Sequence, residues 1–204
     1  MDGAFMKKFI KVIVIACFLL FVIGIADVYK DKIALHDNLI RLHVVANSDS
    51  REDQEIKLRV KDAVVAYLQP LIKDLSDKEQ AMVFVADNLT SIQLIANEVL
   101  DDCGVSNRAT VYLRPEAFNT RKYDTFSLPS GVYDSLRIEI GESGGKNWWC
   151  VVFPSLCLPA TSDGFQDTAV SSGFSEELGN TLANGNNFRF FILDCLGRIE
   201  NLFY

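Results

Sequence analysis

Histidine is scarce in this sequence: the 204 residues include two, His36 and His43. Neither belongs to an HExxH pattern, and no paired CxxC pattern accompanies them, so the usual ligand spacings of zinc sites are absent from the sequence. Acidic residues are numerous, but no pair of them stands out from an ordinary solvated surface. The sequence therefore predicts no metal site, no cofactor and no carboxylate pair for glycoside hydrolysis.

A nucleotide-binding loop is also missing. The glycine-rich segment 141–147, GESGGKN, has three residues between its first glycine and the Gly145–Lys146 pair, where a P-loop has four. Asn147 occupies the position at which a serine or threonine would bind magnesium. We therefore interpret this segment as the loop of a β-hairpin.

Basic residues are in the minority. Lysine and arginine number 20 against 27 aspartates and glutamates, which gives a net charge of −7. Residues 1–26 hold three lysines and one aspartate, so the rest of the chain carries −9. An acidic surface is repelled by nucleic acid and by anionic lipid headgroups. We therefore expect no nucleic-acid partner, and contact with a membrane only through the N-terminal segment.

The sequence has one long apolar run, the fifteen residues of Val12–Ala26, which follows a lysine-rich start. A spanning helix needs roughly 20 apolar residues, whereas the core of a signal peptide needs about 7–15. Gly24 and Ala26 are small residues at positions −3 and −1 of a cleavage site before Asp27. The alternative is an uncleaved anchor that extends further towards the N-terminus. We predict that residues 1–26 are a signal peptide or an N-terminal membrane anchor, with the rest of the chain outside the cytoplasm.

Five cysteines are present, and Cys17 lies within the export segment, which leaves four in the body. An even number outside the cytoplasm permits disulfides, and Cys150 with Cys157 is the closest pair. The alternative is that these cysteines are small buried hydrophobic residues. The sequence leaves both interpretations open.

The periodicity of apolar residues predicts one α+β domain. Two amphipathic helices are expected to cover a small, mostly antiparallel sheet. The first helix starts at Ser50 and should end before Pro70, while the second runs from Ser76 towards Gly104. The four strands are expected at about 39–46, 109–114, 131–140 and 147–154.

Three flanking segments are interpreted separately. Residues 27–38 read as a tether or short helix. Residues 160–186 are rich in Gly, Ser, Thr and Asn and carry four acids and no base, which is typical of a flexible acidic linker. Residues 187–204 are predicted to form a C-terminal amphipathic helix, whose apolar face would dock on the core or stay exposed for a partner. That face comprises Phe188, Phe191, Ile192, Cys195, Ile199 and Leu202.

Both tryptophans are adjacent, as Trp148 and Trp149. Neighbouring residues of a strand point to opposite faces, so at most one of the two enters any single core. Either the strand lies between two layers, or one tryptophan is an anchor at an interface, where this residue is favoured.

One arrangement would support catalysis. His43 could pair with Cys150 as base and nucleophile, oriented by Asn47 or Asp49. Nothing in the spacing requires these residues to meet, and a structural histidine is the commoner outcome in the middle of a strand. An extracytoplasmic Cys/His hydrolase acting on cell wall or protein is therefore kept as the alternative function.

Three long blocks between Leu39 and Leu158 resemble the stage II sporulation protein R family, in the order that the family has them. They are RLHVVANSDS at 41–50 with DQ at 53–54, KL at 57–58 and VKDAV at 60–64; LPSGVY at 128–133 with LRI at 136–138; and GE at 141–142 with GKNWWCVVFP at 145–154 and LC at 156–157. Ser130 departs from the alanine expected there. We therefore interpret residues 39–159 as a sporulation protein R-like domain.

The resemblance implies a signalling protein and no catalytic residues. Members of this family are made in the forespore of endospore-forming bacteria and exported to the space between forespore and mother cell. There they activate a membrane-embedded aspartic protease, the stage II sporulation protease GA, which processes pro-sigma-E in the mother cell. The candidate partner-binding residues in this chain are Arg41, His43, Asn47, Asp49, Asn147, Trp148 and Trp149.

Overall fold

A computed structural model describes residues 3–154, 169–170 and 174–204, and it confirms the α+β class. The helices are α1 (Gly3–Asn38), α2 (Arg51–Ile72), α3 (Lys78–Asp87), α4 (Leu89–Asp102), α5 (Glu176–Asn184) and α6 (Phe188–Asn201). The strands are β1 (Ile40–Val45), β2 (Ala109–Phe118), β3 (Arg121–Lys122), β4 (Ser127–Leu128), β5 (Gly131–Ile140) and β6 (Asn147–Phe153).

The main sheet has four strands in the order β2–β5–β1–β6. Strand β1 runs parallel to β5 and antiparallel to β6, and β2 runs antiparallel to β5. The expectation of a mostly antiparallel sheet is therefore confirmed, although the sheet is mixed. All six residues of β1 are buried, because layers of helices cover both faces of the sheet.

Helices α2 and α4 cover one face. Ser50 caps α2 by accepting a hydrogen bond from the backbone N–H of Asp53, as the capping pattern predicts. The apolar stripe of α2 is buried against the sheet together with that of α4. The residues that build this core include Val60, Val64, Leu68, Ile92, Ala96, Leu42, Val44, Leu136 and Ile138.

The helical layer differs from the sequence prediction in two places. Pro70 lies inside α2, which continues to Ile72, because Ile72 is buried in the core and Lys73 still donates to the carbonyl of Gln69 at 3.2 Å. A proline in the last turn removes one hydrogen bond, and the burial of Ile72 offsets that loss. The second predicted helix is divided at Asn88 into α3 and α4, so three helices replace the expected two.

The end of α1, together with α5 and α6, covers the opposite face. Val28 and Leu35 are buried there, so residues 27–38, interpreted above as a tether or short helix, form the last turns of α1 and contribute to the core. The composition of 160–186 suggests a linker, but residues 176–184 form α5, capped by Ser175. Residues 155–168 and 171–173 of this region and its approach lie outside the described residues.

Helix α6 packs on the core through a face that the sequence did not indicate. Phe190, Leu193 and Gly197 are buried, whereas four of the six residues of the predicted stripe are exposed and the other two are partly buried. The exposed members of that stripe are Phe188, Phe191, Ile199 and Leu202. The helix is therefore apolar on two sides, and one of them is unused by the core.

Asp194 holds α6 to the turn before β5. Its carboxylate accepts hydrogen bonds from both the backbone N–H and the hydroxyl of Ser130, each at 2.8 Å, and also from the hydroxyl of Thr120. One turn further along α6, a Cβ atom at Gly197 would lie 1.6 Å from the carbonyl oxygen of Ser130. The helix backbone and the turn are thus in direct contact, which only glycine permits.

Replacing Gly197 with alanine should therefore destabilise the domain. Because backbone atoms lie against that position, α6 must move, and we expect the free energy of unfolding to fall by about 2–3 kcal/mol. Gly179→Ala in α5 is the matched control, since its nearest neighbour lies 3.9 Å away and alanine favours the helix. Urea unfolding of the detergent-solubilised chain, followed by tryptophan fluorescence, measures both variants. Equal stability of the two would contradict the direct contact.

Candidate functional site

The predicted partner-binding residues lie around the β1–β6 pair. Arg41 and His43 point to the face that carries α1, α5 and α6, and Trp149 lies opposite His43 in the register. Asn147 pairs with Val45 at the far ends of the same two strands. Two groups of contacts result, one in the loops at the strand ends and one beneath Trp149.

At the strand ends, side chains fix the loops to each other. The side-chain oxygen of Asn47 accepts from the backbone N–H of Glu142 at 3.0 Å, while its amide donates to Asp53 at 3.0 Å. Asp49 accepts from the backbone N–H of Lys146 at 2.7 Å. Hydrogen bonds from Ser48 and Asn47 lower the pKa of the Asp53 carboxyl. Asn47 and Asp49 thus hold the loop between β5 and β6 beside the start of α2.

The same loops leave no room for a side chain at Gly145. Its backbone N–H donates to the carbonyl of Ala46 at 3.0 Å, and a Cβ there would lie 2.2 Å from the carbonyl oxygen of Ser48. The glycine-rich loop is therefore tightly packed. It does not close a β-hairpin, and that prediction is wrong, because β1 lies between β5 and β6 in the sheet and pairs with both.

Beneath Trp149 lies a polar cluster centred on Glu116. His43, 4% exposed, places its Nδ1 atom 3.2 Å from Glu116, and Arg137 donates to the other carboxylate oxygen at 2.5 Å. Burial alone would raise the pKa of Glu116, but the hydrogen bonds from His43 and Arg137 prevail and lower it to about 2. Arg137 also donates to Glu139 at 2.6 Å, so the charges of this cluster are paired.

Aromatic rings close this cluster. The indole of Trp149 stacks on the His43 ring with 3.7 Å between centroids, and Phe118 meets the indole edge-on at 4.9 Å. The guanidinium carbon of Arg121 lies 4.8 Å from the centre of the indole. Trp149 is half-buried and held on several sides, so these contacts fix its position.

Arg41 supports the cluster from inside the domain. It is fully buried, its guanidinium lies 3.9 Å from the centre of the Phe118 ring, and it donates to the hydroxyl of Tyr123 at 3.0 Å. Within the described residues, its Nε and Nη1 atoms have no hydrogen-bond partner. Stacking on aromatic rings is the main compensation for this buried charge. Arg41 therefore shapes the surface without being part of it.

The cluster opens to solvent through a cavity of about 300 Å³. His43, Glu116, Arg137 and Trp149 line it together with Arg114 and Tyr204. Trp148, on the other side of β6, is 37% exposed and has the Lys61 ammonium 4.9 Å from its ring centre. The N-terminal end of β6 (Asn147–Trp149) thus presents an exposed indole on one face of the sheet and a half-buried indole on the other.

The proposed base and nucleophile do not meet. His43 lies opposite Trp149, whereas Cys150 lies opposite Leu42, so His43 and Cys150 face opposite sides of the sheet. Cys157 lies outside the described residues, and its disulfide with Cys150 stays a prediction. In the described ranges, no group of three or more His, Cys, Asp or Glu side chains could hold a metal ion.

Several members of the cluster were not identified from the sequence. Strand β2 continues to Phe118, four residues beyond the predicted end at 114, so Glu116 and Phe118 lie outside the predicted strands. Pro115 obscured this continuation, although proline is tolerated in an edge strand such as β2. Arg137 lies on β5 between the buried Leu136 and Ile138, and its hydrogen bond to Glu116 brings it into the cluster.

The Glu116 carboxylate should make stability depend on acid pH. Because its pKa is about 2 in the folded chain and 4.5 is the ordinary value, its stabilising effect is complete above about pH 4.5 and disappears as the pH falls towards 2. Glu116→Gln should therefore lower the free energy of unfolding by about 2 kcal/mol at pH 6 and by much less at pH 2.5. Urea titrations at both pH values measure this difference. A constant difference between the two proteins would contradict the assignment.

Comparison with known proteins gives a consistent result. Residues 36–163, more than half of the chain, match the model of the family described as stage II sporulation protein R. A relative from Bacillus subtilis (strain 168), named stage II sporulation protein R, is 34% identical over 135 residues, covering 66% of this chain. The chain spans 60% of that relative's length in this match. No solved structure matches.

The loops at the strand ends and the cluster beneath Trp149 all fall within the matched residues. Since the match extends over most of the folded body, the predicted resemblance is confirmed: the chain belongs to the stage II sporulation protein R family.

Proposed function

We propose that this chain is an exported signal that activates a membrane-embedded aspartic protease, the stage II sporulation protease GA, and so causes pro-sigma-E to be processed in the mother cell. Membership of the family, whose name places it at stage II of sporulation, carries this proposal. The apolar helix α1 supports it, since such a helix is compatible with a signal peptide or a membrane anchor.

On this proposal the chain is made in the forespore and acts in the space between the two membranes. Its partner is the part of the protease outside the cytoplasm, and the chain itself supplies no catalytic group. Binding activates the protease by favouring one of its conformational or dimerisation states. To shift such an equilibrium from 1:99 to 99:1, the chain must bind the active state about 10⁴-fold more tightly than the other.

The N-terminal end of β6, which comprises Asn147, Trp148 and Trp149, is the contact surface that we propose. Asn147 and Trp148 are exposed and Trp149 is half-buried at the mouth of the cavity, so indoles are available where binding energy tends to concentrate. His43 and Arg41 lie underneath and hold Trp149 and Phe118 in place. Asn47 and Asp49 fix the neighbouring loop. The candidate residues thus divide into contacting and supporting ones.

Trp148→Ala should abolish most of the signal. Co-expression of the chain, the protease and pro-sigma-E in a non-sporulating host gives the readout, which is the fraction of pro-sigma-E cleaved. We expect processing to depend on all three proteins and to fall about tenfold or more with Trp148→Ala, because a central indole is lost from the interface.

Tyr112→Ala provides the matched control. Tyr112 is also a strand aromatic that is 37% exposed, and Arg114 lies 5.1 Å from its ring, yet it is on β2 at the other edge of the sheet. Processing should continue with this variant. Normal processing with Trp148→Ala, at equal protein level, would remove the end of β6 from the proposal. Processing without this chain would overturn the proposed function as a whole.

A further inference from the structure

Helix α1 enters the domain without a linker. Its segment Phe9–Asn38 is long and apolar enough to cross a membrane, and the most apolar 18-residue window in it has a mean hydropathy of 2.9. The large apolar side chains before Ala26 that the structure describes are exposed, whereas Val28 and Leu35 are buried in the domain. A single continuous helix therefore connects the apolar segment to the folded core.

The length of α1 fixes how close the domain lies to a bilayer. About 20 helical residues are needed to cross the hydrocarbon core, which is roughly 30 Å thick. Counted from Phe9, that length ends at Val28, the residue where burial in the domain begins. A bilayer that holds the apolar half of α1 therefore reaches the part of the domain that packs around Val28.

An apolar groove lies at this level. It measures about 700 Å³ and separates α1 from the starts of α5 and α6. Its apolar lining consists of Leu20, Gly24, Ile25 and Val28 of α1 with Phe188 and Ile192 of α6. Phe188 is 76% exposed, and a Cβ at Gly24 would meet nothing within 4 Å, so the groove is open.

The charges at the edge of the groove are paired. Arg189 donates to Asp31 at 2.5 Å and also contacts Glu177. Paired charges lose less on transfer towards an apolar medium than isolated ones do. The groove therefore presents no lone carboxylate to a lipid surface among these residues, despite the acidity of the chain.

The geometry points to a lipid contact outside α1: while α1 is attached and lies in a bilayer, Phe188 and the groove are immersed in the adjoining leaflet and take up phospholipid acyl chains. This extends the membrane contact beyond the N-terminal segment, and it does not depend on the proposed signalling function. The other end of α6 stays clear of the lipid. Glu200, next to Ile199, lines a different cavity with His36 and Asp37, further along α1 than Gly24 and Val28.

A photo-crosslinking experiment on the full chain tests this contact. p-Benzoylphenylalanine replaces Phe188, Ile199 or Phe18 in separate proteins, each reconstituted in phosphatidylcholine vesicles that contain a radiolabelled phospholipid. All three positions carry exposed side chains, so the fold should tolerate the probe. Phe18, in the apolar run, is the positive control, and Ile199, about 16 Å along α6 from Phe188, is the matched negative control.

We expect lipid label at positions 18 and 188, with at least fivefold less at 199. Label at 18 but not at 188 would overturn the proposal. Equal label at 188 and 199 would overturn it too, because α6 would then lie flat on the bilayer. Crosslinks from 188 to another part of this chain or to a second copy would identify a different occupant of the groove. Without label at 18, α1 is not in the bilayer and the proposal fails.

Discussion

Strand β1 is the element on which the rest of the structure depends. It lies between β5 and β6, and all six of its residues are buried, so both faces of the sheet must be covered. Leu42 and Val44 pack beneath α2 and α4, whereas Arg41 and His43 face the layer of α1, α5 and α6. One short strand therefore requires two different helical layers.

The polar side chains of β1 need partners because they are buried. His43 is adjacent to Glu116 of β2 and stacks on Trp149 of β6, and Arg41 stacks on Phe118. A buried charge without such contacts would cost several kcal/mol. The partners come from both edge strands, so the order of the strands and the composition of the cluster depend on each other.

The sequence predicts the sheet well, because alternation marks β5 and turn residues mark where β1, β5 and β6 begin or end. Contacts between distant residues were less predictable. Glu116 reaches His43 across 73 positions, and no local pattern indicates that distance. Helix α6 is apolar on two sides, and periodicity alone cannot show which side packs. Gly197 decides this, since its contact with Ser130 depends on a turn far away in the sequence.

The same limit applies to the candidate site. Family blocks include Asn47, Asp49 and Gly145, yet the structure uses these residues to join two loops. Their presence in the blocks is explained by this packing alone, so it is no measure of contact with a partner. Trp148 is different. It is in the same block as Gly145 and is exposed, and its side chain holds no backbone group of the described residues in place. The packing of these loops therefore does not explain its presence in the block.

For the proposed function, a contact surface whose shape is set in advance favours binding, because each side chain ordered on binding reduces the affinity. The hydrogen-bonded side chains of Glu116, Arg137 and His43 fix Trp149 in this way. The uninterrupted course of α1 into the core would add a second constraint. While α1 is held in a bilayer, the domain cannot turn freely as it would on a flexible tether, so the end of β6 would face a membrane-bound partner from a restricted set of directions.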